Sequence, residues 1–259
     1  MRIHRIYTDQ ALEPGRDAVL EDAPAHYLSR VLRVTTGQSV VLINGDGHEY
    51  PAEVQRNGRR EVVLAVRSRL PGLAESALEI TVAQALSRGE RMDQTLQKCT
   101  ELGVAAFQPL FSERSGVRLA GEKLQRRLEH WQSVVISACE QCGRARVPAV
   151  RPPLPIEDWL GQPTGSSRLV LDPEAAMPLP GARLSSSLEL AVGPEGGFSA
   201  EELGRMRECG VQSASLGPRI LRTETAAPAA VAILQSLKGD LSSQGWSWPP
   251  ANRPLCPGS

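Results

Sequence analysis

The chain has 259 residues, 41% of them hydrophobic, and its 29 Lys and Arg balance its 29 Asp and Glu to a formal net charge of zero. That length fits one large domain or two smaller ones, and no apolar run reaches the ~20 residues of a membrane span. Met1-Arg2-Ile3-His4-Arg5 opens no signal peptide, so a soluble, cytoplasmic protein is expected, and a neutral chain confines any RNA-binding surface to a local basic patch.

Residues 1–70 read as short strands. Segments 38–44 and 49–55 flank the turn Gly45-Asp46-Gly47, and Arg56-Asn57-Gly58-Arg59 carries the Asn-Gly signal of a type I′ hairpin into a strand over 61–69. The pattern predicts a small antiparallel barrel. One helix, over 24–33, turns Leu28, Val31 and Leu32 inward and leaves His26, Arg30 and Arg33 at i, i+4, i+7 on another stripe. Such a stripe suits a phosphate backbone. Other basic groups are Arg2, His4 and Arg5, the hairpin Arg56, Arg59 and Arg60, and Lys123, Arg126, Arg127, Arg144 and Arg146. Each of these, taken alone, reads equally as a solvated face.

Residues 70–76 have linker composition and mark a boundary, giving domains over 1–72 and 73–240 and a tail over 241–259 that reads as disordered or loosely docked. Beyond the linker, strands and helices alternate. Strands fall near 78–86, 107–111, 168–171, 188–192 and 211–216, and helices near 93–102, 121–141, 156–160 and from 200. Alternation of this kind means α/β: a mostly parallel sheet with helices on both faces. Five cysteines, an odd number without a secretion signal, argue for free thiols. Cys139 and Cys142 form a CxxC on one helix face, read as structural, with redox or metal use as the alternatives. The histidines His4, His26, His48 and His130 are scattered and form no ligand cluster, so no metal is expected.

The most informative stretch is 188–238. Two apolar strands each run into a Gly/Pro-rich loop and then a helix: Gly193-Pro194-Glu195-Gly196-Gly197-Phe198-Ser199, and Leu216-Gly217-Pro218-Arg219-Ile220-Leu221-Arg222-Thr223-Glu224-Thr225. Ser199 and Glu202 form a capping box and Phe198 with Leu203 a hydrophobic staple, so a helix starts at Ala200, with Gly210 placed to end it. The last helix is expected to begin late enough to hold Pro228 in its first turn, with Thr225 as its cap. In an open α/β sheet a ligand sits outside the carboxyl ends of the strands, so Leu171 and the two loops should converge there. Neither nucleotide-phosphate motif, G-x-G-x-x-G nor G-x-x-x-x-G-K-[ST], is present, and Glu195 would repel a phosphate. A cationic ligand is more compatible.

These two loops resemble the cofactor-loop motifs of the bacterial 16S ribosomal RNA uracil-N3 methyltransferases, a family of the trefoil-knotted SPOUT class. The likeness extends in order through Arg88-Gly89-Glu90-Arg91-Met92-Asp93, Gln97-Lys98-Cys99-Thr100-Glu101-Leu102-Gly103-Val104, Glu113-Arg114-Ser115 and Glu140-Gln141-Cys142-Gly143-Arg144. His26-Tyr27-Leu28-Ser29-Arg30-Val31-Leu32-Arg33 resembles its N-terminal domain. The resemblance covers residues 1–240 and departs at Arg88, where the family pattern has lysine. It implies a PUA-like RNA-recognition barrel followed by a knotted methyltransferase domain, S-adenosylmethionine as cofactor, 16S ribosomal RNA or the small ribosomal subunit as substrate, and a homodimer with its cofactor loops at the interface.

Carried over residue by residue, the resemblance puts the cofactor against Leu171, Gly193, Pro194, Glu195, Gly196, Leu216, Gly217, Ile220, Leu221, Thr223 and Thr225. It puts Arg88, Lys98, Arg114 and Arg144 against RNA or the partner subunit, and Arg5, His26, Arg30 and Arg33 are the RNA-binding candidates of the N-terminal domain. Methyl transfer to uracil N3 requires loss of the imide proton and stabilisation of charge on O2 and O4. Arg222 is expected to hold that charge. Glu224 is the candidate base, though a carboxylate of pKa ~4.3 is a weak one, and it reads equally as an acid favoured at a helix N-terminus. The base must be unpaired or extruded to react. The same chemistry on another nucleoside, and a non-catalytic RNA-binding relative, remain as alternatives.

Overall fold

The computed structural model describes residues 4–58, 60–117 and 119–242. They gather in two compact units. One holds the residues through Ala74 together with Arg126–Ala149, and the other holds Glu75–Gln125 with the residues from Val150 on. The expected division at residue 72 is contiguous, whereas the second part of the long helix α3 (Gly121–Cys142) and the return after it gather with the N-terminal strands. The tail beyond Ser242 lies outside the described residues.

In the first unit, β1 (Arg5–Tyr7), β2 (Asp17–Glu21), β3 (Ser39–Ile43), β4 (His48–Asn57) and β5 (Glu61–Val66) form a curled sheet in the order β1-β3-β4-β5-β2, and β6 (Leu70–Pro71) pairs with β4. The β3-β4 and β4-β5 hairpins are antiparallel as expected, and β1, a strand the sequence pattern did not single out, adds at the edge parallel to β3. Alternating Val40, Leu42, Val54, Val62 and Leu64 fill its interior. On α3, half-buried Glu140 accepts the Tyr7 N–H at 2.8 Å, and desolvation outweighs that bond, raising its carboxyl above the ordinary value.

The expected helix over 24–33 is interrupted. Helix α1 (Asp22–His26) passes into a π-helical turn over Tyr27–Val31, closed by Leu32 N–H donating to the Tyr27 carbonyl at 3.0 Å. The i→i+5 bond rotates successive side chains less per residue than an α-helix does. Leu28 therefore stays buried and Leu32 packs on the core, but Val31, expected inward, is 60% exposed. His26, Arg30 and Arg33 are exposed, yet Arg33 leaves the helix at φ 53°, so the three do not continue one helical stripe.

The second unit is a parallel sheet. β7 (Glu79–Ala85), β8 (Ala106–Phe111), β10 (Leu154–Pro155), β11 (Ser167–Leu171), β12 (Ser187–Val192) and β13 (Gln212–Ala214) lie in the order β10-β8-β7-β12-β11-β13; the short β9 (Ala149–Val150) precedes β10. Val82 and Ala83 on β7, and Leu190 and Ala191 on β12, are buried on both faces, which is why these strands read as continuous apolar runs. Trp159 of α4 (Ile156–Gly161), Phe198 and Met206 of α5 (Ala200–Glu208) cover one face around Ala83, Val170 and Ala191. Helix α2 (Arg91–Glu101) packs against α6 (Thr223–Lys238), whose end is tied down by Gln235 Nε2 donating to the Leu102 carbonyl at 3.2 Å. Because the pairs β7-β12, β12-β11 and β11-β13 are all parallel, the carboxyl ends of these four strands share one edge of the sheet.

Candidate active site

Both glycine loops leave that edge. Gly193 continues β12, whose last residue Val192 is in register with Gln84 of β7. A Cβ at Gly193 would stand 3.1 Å from the Phe198 nitrogen and 3.2 Å from the Gly197 Cα, so the loop folds back on itself closely enough that a side chain there would push its backbone aside by a few tenths of an ångström. Gly197, at φ +67°, makes the reversal that only glycine adopts readily. The loop then enters α5 as expected: Ser199 accepts the Glu202 N–H at 3.2 Å, the Glu202 carboxylate accepts the Ser199 N–H at 2.8 Å, and Gly210 follows the helix at C′.

The second loop, 215–222, leaves β13 at the outer edge of the sheet and carries the chain back over β11 to its middle, where Thr223 starts α6. Here Thr225 is not the cap. Arg222 occupies that position with extended backbone (φ −65°, ψ 152°), Thr225 N–H donates to its carbonyl at 2.9 Å, and Pro228 falls beyond the first turn. Tertiary bonds override the proline: the Thr223 hydroxyl donates to the Gly193 carbonyl at 2.8 Å and accepts from Gln84 Nε2 at 2.9 Å, fixing the helix start at 223. The expected strand over 211–216 shortens correspondingly to β13.

A second tie between the loops is ionic. Arg91, at the start of α2, pairs with Glu195 at 2.7 Å and with Glu224 at 3.6 Å. Glu195 also accepts the Arg88 N–H at 2.9 Å. Desolvation would raise the Glu195 carboxyl, but hydrogen bonds from its own and the Arg88 backbone N–H and from Arg91, with the guanidinium charge, outweigh it and hold the group below its ordinary value. Glu195 and Glu224 thus stand as two carboxylates beside the loops, groups that a cationic ligand can face.

Arg88 and Arg114, expected to meet RNA or a partner subunit, both reach the first loop. Arg114 donates to the Gly196 carbonyl at 3.0 Å, and the Arg88 side chain lies over Gly116 while its N–H holds Glu195. Leu171, Leu216 and Leu221 are half-buried, Pro194 is buried, and Gly217 and Thr225 are exposed. Ile220 is 85% exposed, and the exposed Arg222 guanidinium forms no ion pair among the described residues. In the first unit, Arg5 is paired with Glu49 at 2.9 Å and Arg144 is 6% exposed. Two hollows, of about 310 Å³ around Glu113, Glu201 and Arg205 and of about 580 Å³ around Asp22, Arg56 and Arg60, are lined by neither glycine loop.

Sequence reasoning passed over Gln84 and Arg91. Arg91 stood inside a quoted motif without a role, and Gln84 was visible as a polar residue in an apolar strand. The cysteines Cys99, Cys139, Cys142 and Cys209 are free thiols, and no group of metal-ligating side chains assembles among the described residues. Nor is any described helix long and apolar enough to cross a membrane.

A parallel sheet with two glycine loops pinned together at its carboxyl edge thus follows a curled β-unit in the chain. Residues 74–235 match the RNA methyltransferase domain, and residues 20–66 match the RNA methyltransferase PUA domain. A protein of Buchnera aphidicola (strain Sg) named ribosomal RNA small subunit methyltransferase E is 33% identical over 246 residues, covering 93% of this chain and 99% of its own. Among solved structures, a ribosomal RNA small subunit methyltransferase E from Neisseria gonorrhoeae bound to S-adenosyl methionine is 40% identical with a TM-score of 0.89, covering 93% of this chain and 100% of its own. A methyltransferase from Legionella pneumophila in complex with the cofactor SAM is 37% identical, with the same TM-score and coverage. The chain belongs to the ribosomal RNA small subunit methyltransferase E family, whose members here share its SPOUT-class fold and its PUA domain.

Proposed function

We propose that the protein methylates N3 of a uridine in small-subunit ribosomal RNA with S-adenosylmethionine. The observation that carries this reading is the junction of the two glycine loops at the sheet edge, closed by Thr223 on Gly193 and by Arg91 between Glu195 and Glu224. The residues present fit the cofactor: the two loops meet at the sheet edge, and Glu195 and Glu224 stand there as carboxylates able to face a positive ligand. When bound, the cofactor supplies an electrophilic methyl group on sulfur.

The chain's part is to orient and to hold charge. Arg222, exposed and free of ion pairs among the described residues just ahead of α6, donates to uracil O2 or O4 as negative charge spreads there while the imide proton passes to solvent water. Glu224 is already engaged by Arg91, and in the first turn of α6 it favours the helix dipole. This supports Arg222 over Glu224 as the group the reaction depends on. Exposed His26, Arg30 and Arg33, with Tyr27 beside them, offer the RNA a local basic and aromatic surface despite the neutral chain. A homodimer, the trefoil threading of the C-terminal chain and a cytoplasmic location belong to the same proposal, and a strictly monomeric active enzyme in light scattering would refute the dimer.

The test is to incubate the protein with S-adenosylmethionine and unmodified small-subunit RNA, digest to nucleosides, and identify the product by mass spectrometry. The expected product is 3-methyluridine, formed at a rate that Arg222→Ala lowers by about 100-fold, the usual loss for a donor to developing negative charge. Methyl on ribose or on guanine would overturn the assignment.

A further inference from the structure

Gln84 lies in the middle of the sheet with 0% of its surface exposed, an amide among apolar neighbours on β7. Its Nε2 donates to the Ala85 carbonyl at 3.0 Å and to the Thr223 hydroxyl at 2.9 Å, with the Val192 and Gly193 carbonyls at the limit of reach, 3.4 and 3.5 Å. Its Oε1 is buried with no hydrogen-bond partner. An orphaned buried acceptor is destabilising, and a methionine or leucine would fill the same volume without it. The amide therefore does something that an apolar side chain does not.

What it does is set the direction of a relay. The Thr223 hydroxyl has a single proton, and that proton is given to the Gly193 carbonyl. A lone pair on the same oxygen accepts from Gln84, so the order runs Gln84 Nε2–H to Thr223 Oγ–H to Gly193 C=O. These three residues come from β7, from the first glycine loop and from the first residue of α6. The relay is dry: Gln84 and Thr223 are 0% and 6% exposed. The Arg91 bridge joins the same two loops through a guanidinium and a Glu195 carboxylate that are 38% and 31% exposed, where water and salt weaken their pairing.

We infer that Gln84 and Thr223 are positioning residues: their buried relay registers the two cofactor loops against each other and thereby fixes where Arg222, one residue before Thr223, leaves the loop. The inference rests on the reading that these loops hold S-adenosylmethionine. Neither residue touches the reacting atoms. Their contribution is to have the two loops in the binding arrangement before the ligand arrives, so losing it appears in cofactor affinity.

The test uses full-length Thr223→Val, Thr223→Ser, Gln84→Met and the double variant Gln84→Met/Thr223→Val. Calorimetric titration with S-adenosylmethionine is combined with steady-state KM for cofactor and for RNA. Thr223→Val and Gln84→Met are each expected to weaken cofactor binding about tenfold, equivalent to about 1.4 kcal/mol. The double variant is expected to lose about tenfold rather than a hundredfold, because one relay is broken either way. Thr223→Ser, which keeps the hydroxyl, stays within twofold of wild type, and KM for RNA is unchanged throughout.

Variants that melt earlier yet bind S-adenosylmethionine within twofold of wild type would reduce the pair to a structural role and overturn the inference, as would losses that multiply in the double variant. Should Thr223→Val not fold, Gln84→Met decides by the same criterion. A wild-type protein that binds no S-adenosylmethionine overturns the functional reading itself, and the relay's role in cofactor binding with it.

Discussion

Replacing Glu202 by alanine isolates the support beneath the first glycine loop. Its carboxylate, 6% exposed, accepts the Ser199 N–H at 2.8 Å, the Glu113 N–H at 2.8 Å and the Ser112 hydroxyl at 3.3 Å. It thus closes the capping box of α5 and also ties that helix to the segment following β8. Alanine keeps the helix propensity and leaves the Ser199 cap to the Glu202 N–H in place. What is lost is the partner of the buried Ser199 N–H, at about 1–3 kcal/mol, and of the exposed Glu113 N–H, which water replaces at a net cost of about 1 kcal/mol. The expected loss is about 3 kcal/mol, or roughly 6–12 °C in Tm for a chain of this size. Ser199→Ala, which removes one cap bond, should cost about 1 kcal/mol. Urea unfolding followed by circular dichroism measures both. If Glu202→Ala costs no more than Ser199→Ala, the tie to Ser112 and Glu113 contributes nothing and the reasoning fails.

Gly193→Ala places a Cβ 3.1 Å from the Phe198 nitrogen, so backbone must yield; overpacking of this kind costs about 1–3 kcal/mol, and S-adenosylmethionine affinity should fall with stability in a calorimetric titration. Affinity at the wild-type value would show that the loop does not line the ligand. Glu140 titrates in the opposite sense to Glu195. Its folded pKa is raised above the ordinary 4.5, so its contribution is complete below that value and is lost as pH rises through the folded pKa. Glu140→Gln, still able to accept the Tyr7 N–H, should therefore gain stability relative to wild type between about pH 4 and pH 7 in urea titrations, and an equal difference at both would contradict the shift. In native protein a thiol reagent should modify exposed Cys209 quickly, whereas Cys99, fully buried and with its thiol pKa pushed far up by desolvation, should react only on unfolding. Fast labelling at Cys99, read by peptide mass spectrometry, would contradict its burial.

What the sequence made legible was what neighbours in the chain decide. Ser199, Glu202, Phe198 and Gly210 announce the bounds of α5 because a capping box and its staple are local. Apolar runs at 188–192 and 168–171 announce buried parallel strands for the same reason. The start of α6 was misread because Thr223 is held by residues 30 and 139 positions away, a tertiary claim stronger than the preference of Pro228 for a first turn. Val31 was misplaced because a π-helical turn shifts the phase of a helix that periodicity assumes constant. At the site, the motif positions brought both loops to one edge as expected. The links between them, through Gln84 and Arg91, depend on strand register and helix placement that no window of sequence contains.

The central claim, that the two glycine loops form a single cofactor site, is tested most directly by hydrogen exchange with and without S-adenosylmethionine. Amides of 193–197 and of 216–225 should slow together on addition of the cofactor, more than those of the first unit. Protection of one loop alone, or of neither, would contradict the account.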